Sequence, residues 1–138
     1  MARDIYHKIV KEALIKDGWT VTHDPLVLLP KAEGGLETDL GAEKLFAAEK
    51  DARKIAVEVK SFIQPSILTD FHRGMGQYLF YIPALEMKES DRAMFLAIPV
   101  GIYLKLVKKE VVRAAIAKYQ IKILVYNPKT IIIESWKE

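Results

Sequence analysis

The 138-residue chain contains no cysteine, which excludes a disulfide framework, a thiolate zinc site and a cysteine nucleophile. Any metal it binds must therefore be held by oxygen or by histidine. Long apolar runs are missing too, and the longest fall well short of the roughly 20 residues that span a bilayer. The opening MARDIYHKIV breaks every apolar stretch with polar residues such as Asp4, so it lacks the core of a secretory leader. A cytoplasmic protein with no membrane partner is the expectation. There is also no internal repeat, no low-complexity segment and no linker.

What is present is ordinary globular material, with 51% hydrophobic and 28% charged residues, enough to bury one core and to fold alone. The length suits a single domain over residues 1–138. The net charge of +3 comes from the second half, where residues 70–138 carry 11 basic and 7 acidic groups against 10 and 11 in residues 1–69. From Lys105 to Lys129 there are seven basic residues and one acidic one, Glu110, a balance compatible with a polyanionic partner such as DNA.

Apolar Ile5, Ile9, Val10, Ala13 and Leu14 recur at helical spacing before Gly18, which predicts a first helix over Asp4–Asp17. Trp19–Thr22 alternates and stops at His23-Asp24-Pro25, the pattern of a short strand ending in turn chemistry. Leu26–Gly35 reads as a loop. Two apolar-rich runs, Leu36–Ala48 and Lys54–Phe62, flank the charged segment Glu49–Arg53 and read as a hairpin, with a bend near Gly41 in the first strand. A second helix capped by Ser66 or Thr69 carries Phe71, Met75, Tyr78 and Ile82 on one face and is expected to end at Pro83. Ala93–Ile98 predicts a buried strand, Ile102–Tyr119 contains a third helix, and Ile121–Tyr126 with Thr130–Trp136 predicts a terminal hairpin. The order is αβββαβαββ, most simply an α/β sandwich around one mixed sheet. Phe95, Tyr126 and Trp136 fall in strand patterns and are expected to pack in the core.

Chemistry gathers on the Lys54–Phe62 strand. Ile55, Val57 and Val59 share one face, so Glu58 and Lys60 share the other. Asp39 lies nineteen residues before Glu58, on the partner strand of the expected hairpin. Two carboxylates and a backbone carbonyl, that of Val59, form a hard oxygen site for Mg²⁺ or Mn²⁺, with positions left for water and a phosphate oxygen. Such an ion polarises a phosphodiester and activates water, while the Lys60 ammonium can orient that water and offset developing charge. Gln77, one turn from Tyr81 on the second helix, can hold Lys60 or the water. A site of this kind must reach solvent, and a dry Glu58 would indicate a structural role. The competing account is a solvated strand face for Glu58 and Lys60, a solvated helix position for Gln77 and core packing for Tyr81. Lys105, Lys109 and Arg113, spaced by four, form a basic stripe that either tracks DNA phosphates or solvates the helix.

Asp39 with Glu58-x-Lys60 and Gln77-x-x-x-Tyr81 in an αβββαβ order resembles the PD-(D/E)XK nuclease superfamily, with Thr38 where its name has proline. More narrowly, MARDIYH (1–7), ALIKDGW (13–19), His23-Asp24-Pro25, DLGAEK (39–44), IAVEVKSF (55–62) and Gly76-Gln77-Tyr78 resemble the XisH family. The likeness covers most of the chain and is densest up to about residue 81. It implies a restriction-endonuclease-like αβββαβ core with a C-terminal hairpin, in a cyanobacterial type of protein that acts with XisI. That pair would control the recombinase-driven excision of the fdxN element during heterocyst development. It also implies the acidic pair at Asp39 and Glu58, the lysine at Lys60 and the accessory glutamine at Gln77. The superfamily's first-helix acidic position falls on either His7 or Glu12. A metal-dependent endonuclease and a non-catalytic DNA-binding or partner-recruiting regulator both fit, as does a homo-oligomer.

Overall fold

Strands with apolar side chains on both faces need a layer of structure on each side. The computed structural model, which describes residues 2–45, 52–62 and 65–138, supplies both layers. In chain order the elements are α1 (Ala2–Lys16), β1 (Thr20–His23), β2 (Leu26–Leu29), β3 (Leu36–Thr38), β4 (Leu40–Leu45), β5 (Ala52–Val59), α2 (Ile67–Lys88), β6 (Arg92–Pro99), α3 (Val100–Leu106), α4 (Glu110–Tyr119), β7 (Ile123–Asn127) and β8 (Ile132–Lys137). Six strands form one mixed sheet in the order β1-β4-β5-β6-β7-β8, and β2 with β3 forms a separate two-stranded sheet. The β5–β6 and β6–β7 pairs are parallel and the other three are antiparallel.

The sheet separates two cores. On the α1 side, Val10, Leu14 and Trp19 pack with Ile55, Val57, Phe95 and Tyr126. On the other side, Phe71, Tyr78 and Leu85 of α2 pack with Ala56, Met94, Leu96 and Ile98, joined by Leu106 of α3 and Val112 of α4. The expected aromatic packing is present, with Trp136 set edge-on against Phe95 at 5.0 Å.

Four expectations change. Leu26–Leu29 is a strand rather than a loop: Leu26 and Leu28 are buried while Val27 is exposed, a period of two too short to read between Pro25 and Pro30. The run from Leu36 is two strands rather than one bent strand, broken at Asp39, because the chain leaves the small sheet at Thr38 and joins the large one at Leu40. Helix α2 runs through Pro83 to Lys88; the proline is exposed while Ala84 and Leu85 stay buried, so packing outweighs the missing backbone donor. The third helix is two helices. Leu106 and Val112 are both buried, and six residues apart on one continuous helix they would point about 120° away from each other. The charged connection expected at Glu49–Arg53 lies outside the described residues as far as Asp51.

Candidate functional site

The antiparallel register between β4 and β5 pairs Leu40 with Val57, which sets Asp39 opposite Glu58. Strand parity does the rest. Ile55, Val57 and Val59 pack in the α1-side core and Ala56 in the α2-side core, so Glu58 and Lys60 turn toward α2. Asp39 is the single residue between β3 and β4, and its Oδ2 accepts a hydrogen bond from the Val59 amide at 2.7 Å. That bond ties the corner between the two sheets to the end of β5.

Lys60 leaves the end of β5, where its amide donates to Ala97 O of β6 at 3.1 Å. Its Nζ donates to Gln77 Oε1 of α2 at 3.2 Å. The stem of Lys60 lies against Gly74, where an added Cβ would come within 3.1 Å of Lys60 Cγ, so a residue without a side chain lets α2 pass this close. Asp39, Glu58, Lys60 and Gln77 are thus brought together where β5 meets α2. Tyr81, one turn further along α2, packs against the core.

Glu58 departs from the open site expected. It is 6% exposed, with Oε1 accepting from Thr38 Oγ1 at 3.1 Å, and the same hydroxyl reaches Val57 O at 3.0 Å. Burial first, and then the adjacent charge of Asp39, push its carboxyl up to about 8. Asp39 and His7 are more open, with side chains 18% and 28% exposed.

Of the two positions left open on the first helix, His7 comes close to Asp39. Its Nδ1 lies 3.6 Å from Asp39 Oδ1 while its Nε2 is 2.7 Å from Asp24 Oδ1, and Lys11 Nζ donates to Asp24 Oδ2 at 2.8 Å. Burial raises the Asp24 carboxyl, but hydrogen bonds from Lys11 and His7 bring it below the ordinary value. Sequence reasoning missed this Asp24–Lys11 support and the role of Gly74. The HDP turn (23–25) marks Asp24's place, but its partners come from a different element. His23 itself meets Thr22 Oγ1 at 2.8 Å through Nδ1, in keeping with turn chemistry.

Asp39 and Glu58 set two carboxyl groups side by side, and burial first and the Asp39 charge second raise the pKa of Glu58. Among the described residues no group of three or more His, Asp or Glu side chains could hold an ion. The remaining ligands would be backbone oxygen, such as that of Val59, water or substrate. Lys105 lies on α3, whereas Lys109 caps α4 and Arg113 lies within it, donating from Nη1 to Val107 O. The three therefore do not lie along one helix, as their four-residue spacing had implied. No described helix is long and apolar enough to cross a membrane.

Comparison with known proteins agrees with this architecture. The family model described as XisH protein matches residues 1–134. The crystal structure of an XisH family protein from Nostoc punctiforme PCC 73102 superposes with a TM-score of 0.85 at 35% identity, covering 98% of this chain and 100% of that one. The crystal structure of a fdxN element excision controlling factor protein from Anabaena variabilis gives 0.84 at 37% identity, with 99% and 100% covered. No curated protein matches. A family model spanning nearly the whole chain and two solved structures at more than a third identity over their full length lead to one conclusion: the chain belongs to the XisH family.

Proposed function

We propose that this protein is an excision controlling factor with metal-dependent endonuclease chemistry of the PD-(D/E)XK type, acting on DNA in a site-specific rearrangement. The observation that carries the reading is the convergence of Asp39, Glu58 and Lys60, with Gln77 hydrogen-bonded to the lysine. Asp39 and Glu58, with the Val59 carbonyl, would hold Mg²⁺ or Mn²⁺. When bound, such an ion polarises a phosphodiester and lowers the pKa of water. Gln77 fixes the Lys60 ammonium, which orients the attacking water and offsets charge on the phosphate. Asp24 and Lys11 hold His7 beside Asp39. Lys105, Lys109 and Arg113 are the proposed phosphate contacts, and a XisI-type protein is the proposed partner.

The buried state of Glu58 points to a structural role for that carboxyl, which supports a second reading, a non-catalytic DNA-binding or partner-recruiting regulator that keeps the nuclease architecture. Plasmid nicking separates the two, assayed with Mg²⁺, Mn²⁺ or chelator, alone and with a XisI-type protein. Wild type should nick only with metal, and Asp39→Asn and Glu58→Gln should abolish nicking because each removes ligand charge at constant size. Lys60→Ala should still bind Mn²⁺ yet lose on the order of 10² to 10³ in rate, the scale for removing one electrostatic stabiliser. Nicking that survives chelation or Glu58→Gln would refute this mechanism, and no nicking under any condition would favour the regulator.

A further inference from the structure

A cavity of about 450 Å³ lies at the carboxyl ends of β5, β6 and β7. Its walls come from the residues that follow these strands: Ser61 and Phe62 directly after Lys60, Pro99 at the end of β6, and Asn127 to Lys129 after β7. Tyr6 of α1 closes it next to His7. The cavity lining thus begins directly after Lys60 on one side and directly before His7 on the other, with neither carboxylate in its walls. Crevices outside the carboxyl ends of parallel strands are where α/β sheets place their ligands.

Two chemistries meet in this cavity. Tyr6, Phe62, Pro99 and Ile102 give it apolar and aromatic walls, while the charged residues lining it, Lys105 and Lys129, are both cationic, with no Asp or Glu among the lining residues. Its volume is within the range of about 300 to 1,000 Å³ typical of small-ligand sites. A flat apolar body joined to an anion satisfies both chemistries at once. Phe62 also adopts φ +54°, a left-handed backbone that bulky residues rarely take, and its side chain, 8% exposed, is part of the α2-side core as well as of the cavity wall. Strain of this kind concentrates at ligand clamps.

We infer that this cavity takes one unpaired nucleotide of a DNA strand, its base against the aromatic walls and its flanking phosphates on Lys105 and Lys129. A base stacked and paired within a duplex cannot enter a pocket of this size, so the protein should select single-stranded or locally unpaired DNA over intact duplex. This deepens the nuclease reading by naming the form of its substrate, although binding at the cavity needs no metal.

Gly101 provides the test. It lines the cavity, and a Cβ added there meets nothing within 4 Å, so a large side chain can be introduced at the cavity wall without a clash at Cβ. Fluorescence anisotropy in chelator would compare a labelled single strand, a blunt duplex, the same duplex with a one-nucleotide bulge, and a mononucleotide as competitor. Wild type should bind the single strand and the bulged duplex at least about tenfold more tightly than the blunt duplex, a difference of about 1.4 kcal/mol. Gly101→Phe should erase that preference at unchanged circular dichroism and blunt-duplex affinity, with Gly101→Leu as the smaller plug if the first variant fails to fold. Lys105→Ala with Lys129→Ala should lower the single-strand salt slope by about 1.4, the value for two phosphates. Equal affinity for blunt and bulged duplex, a preference that survives the plug, or competition by the mononucleotide as strong as by the strand would overturn the proposal. Nicking assayed separately keeps the two readings apart: nicking lost with the preference retained sinks the nuclease reading alone, and the reverse sinks this one.

Discussion

At the scale of single residues, Glu58 concentrates the tension in the site. Burial and then the Asp39 charge hold its carboxyl at about 8, against 4.5 for an unperturbed glutamate. Between those values the folded chain binds more protons than the unfolded one, so stability contributed at low pH is lost as pH rises through the window. Glu58→Gln cannot ionise and should escape this loss, becoming more stable than wild type above about pH 8 by an amount on the order of a few kcal/mol. Below the carboxylate range the sign reverses for Asp24 and Glu89, whose lowered values make their contributions disappear as they protonate. Chemical denaturation across a pH series checks this, and parallel curves for wild type and Glu58→Gln would refute it. The placement of Asp39, Glu58 and Lys60 was legible in the sequence because strand parity and a hairpin register follow from apolar alternation alone. The burial of Glu58 was not, since it involves a hydrogen bond from Thr38 on a separate small sheet. His7 was distinguishable from Glu12 only once Asp24 was known to approach from another element.

At the scale of elements, the opposite end of the sheet is fixed by Arg92, whose side chain is wholly buried. Its Nη1 donates to Ile55 O of β5 at 2.9 Å and its Nε to Glu89 Oε2 at 2.8 Å, which joins the end of α2 to the start of β6 and to the neighbouring strand. The hydrogen bond from Arg92 is the main reason that the Glu89 carboxyl falls below its ordinary value. Arg92→Ala leaves a cavity and an unpaired buried carbonyl, and should cost about 3 kcal/mol in urea unfolding. A loss under about 1 kcal/mol would mean that the guanidinium is replaceable by water. The elements misread from sequence share a cause. The split between α3 and α4, the passage of α2 through Pro83 and the short β2 strand are all set by which residues the sheet must cover, and local propensity yields to that packing.

At the scale of the whole molecule, the net charge of +3 is too small to bind DNA by itself, so any affinity must come from where the cations sit. Changing Lys105, Lys109 and Arg113 together to Ala should lower the slope of log K against log salt on duplex DNA by no more than about 2, although three contacts allow nearly 3. Arg113 is engaged with Val107 O, and the break between α3 and α4 divides the set. An unchanged slope would move the DNA surface elsewhere. The two cores on opposite faces of the sheet have a further effect. His7 arrives with the α1 layer, Gln77 and Gly74 arrive with the α2 layer, and the carboxylates wait at the strand ends between them. Assembly of the site is therefore a coincidence test on folding, passed only when both layers have docked. A chain with one layer undocked would lack either His7 or Gln77 beside the carboxylates, so the complete arrangement exists only in the fully folded molecule.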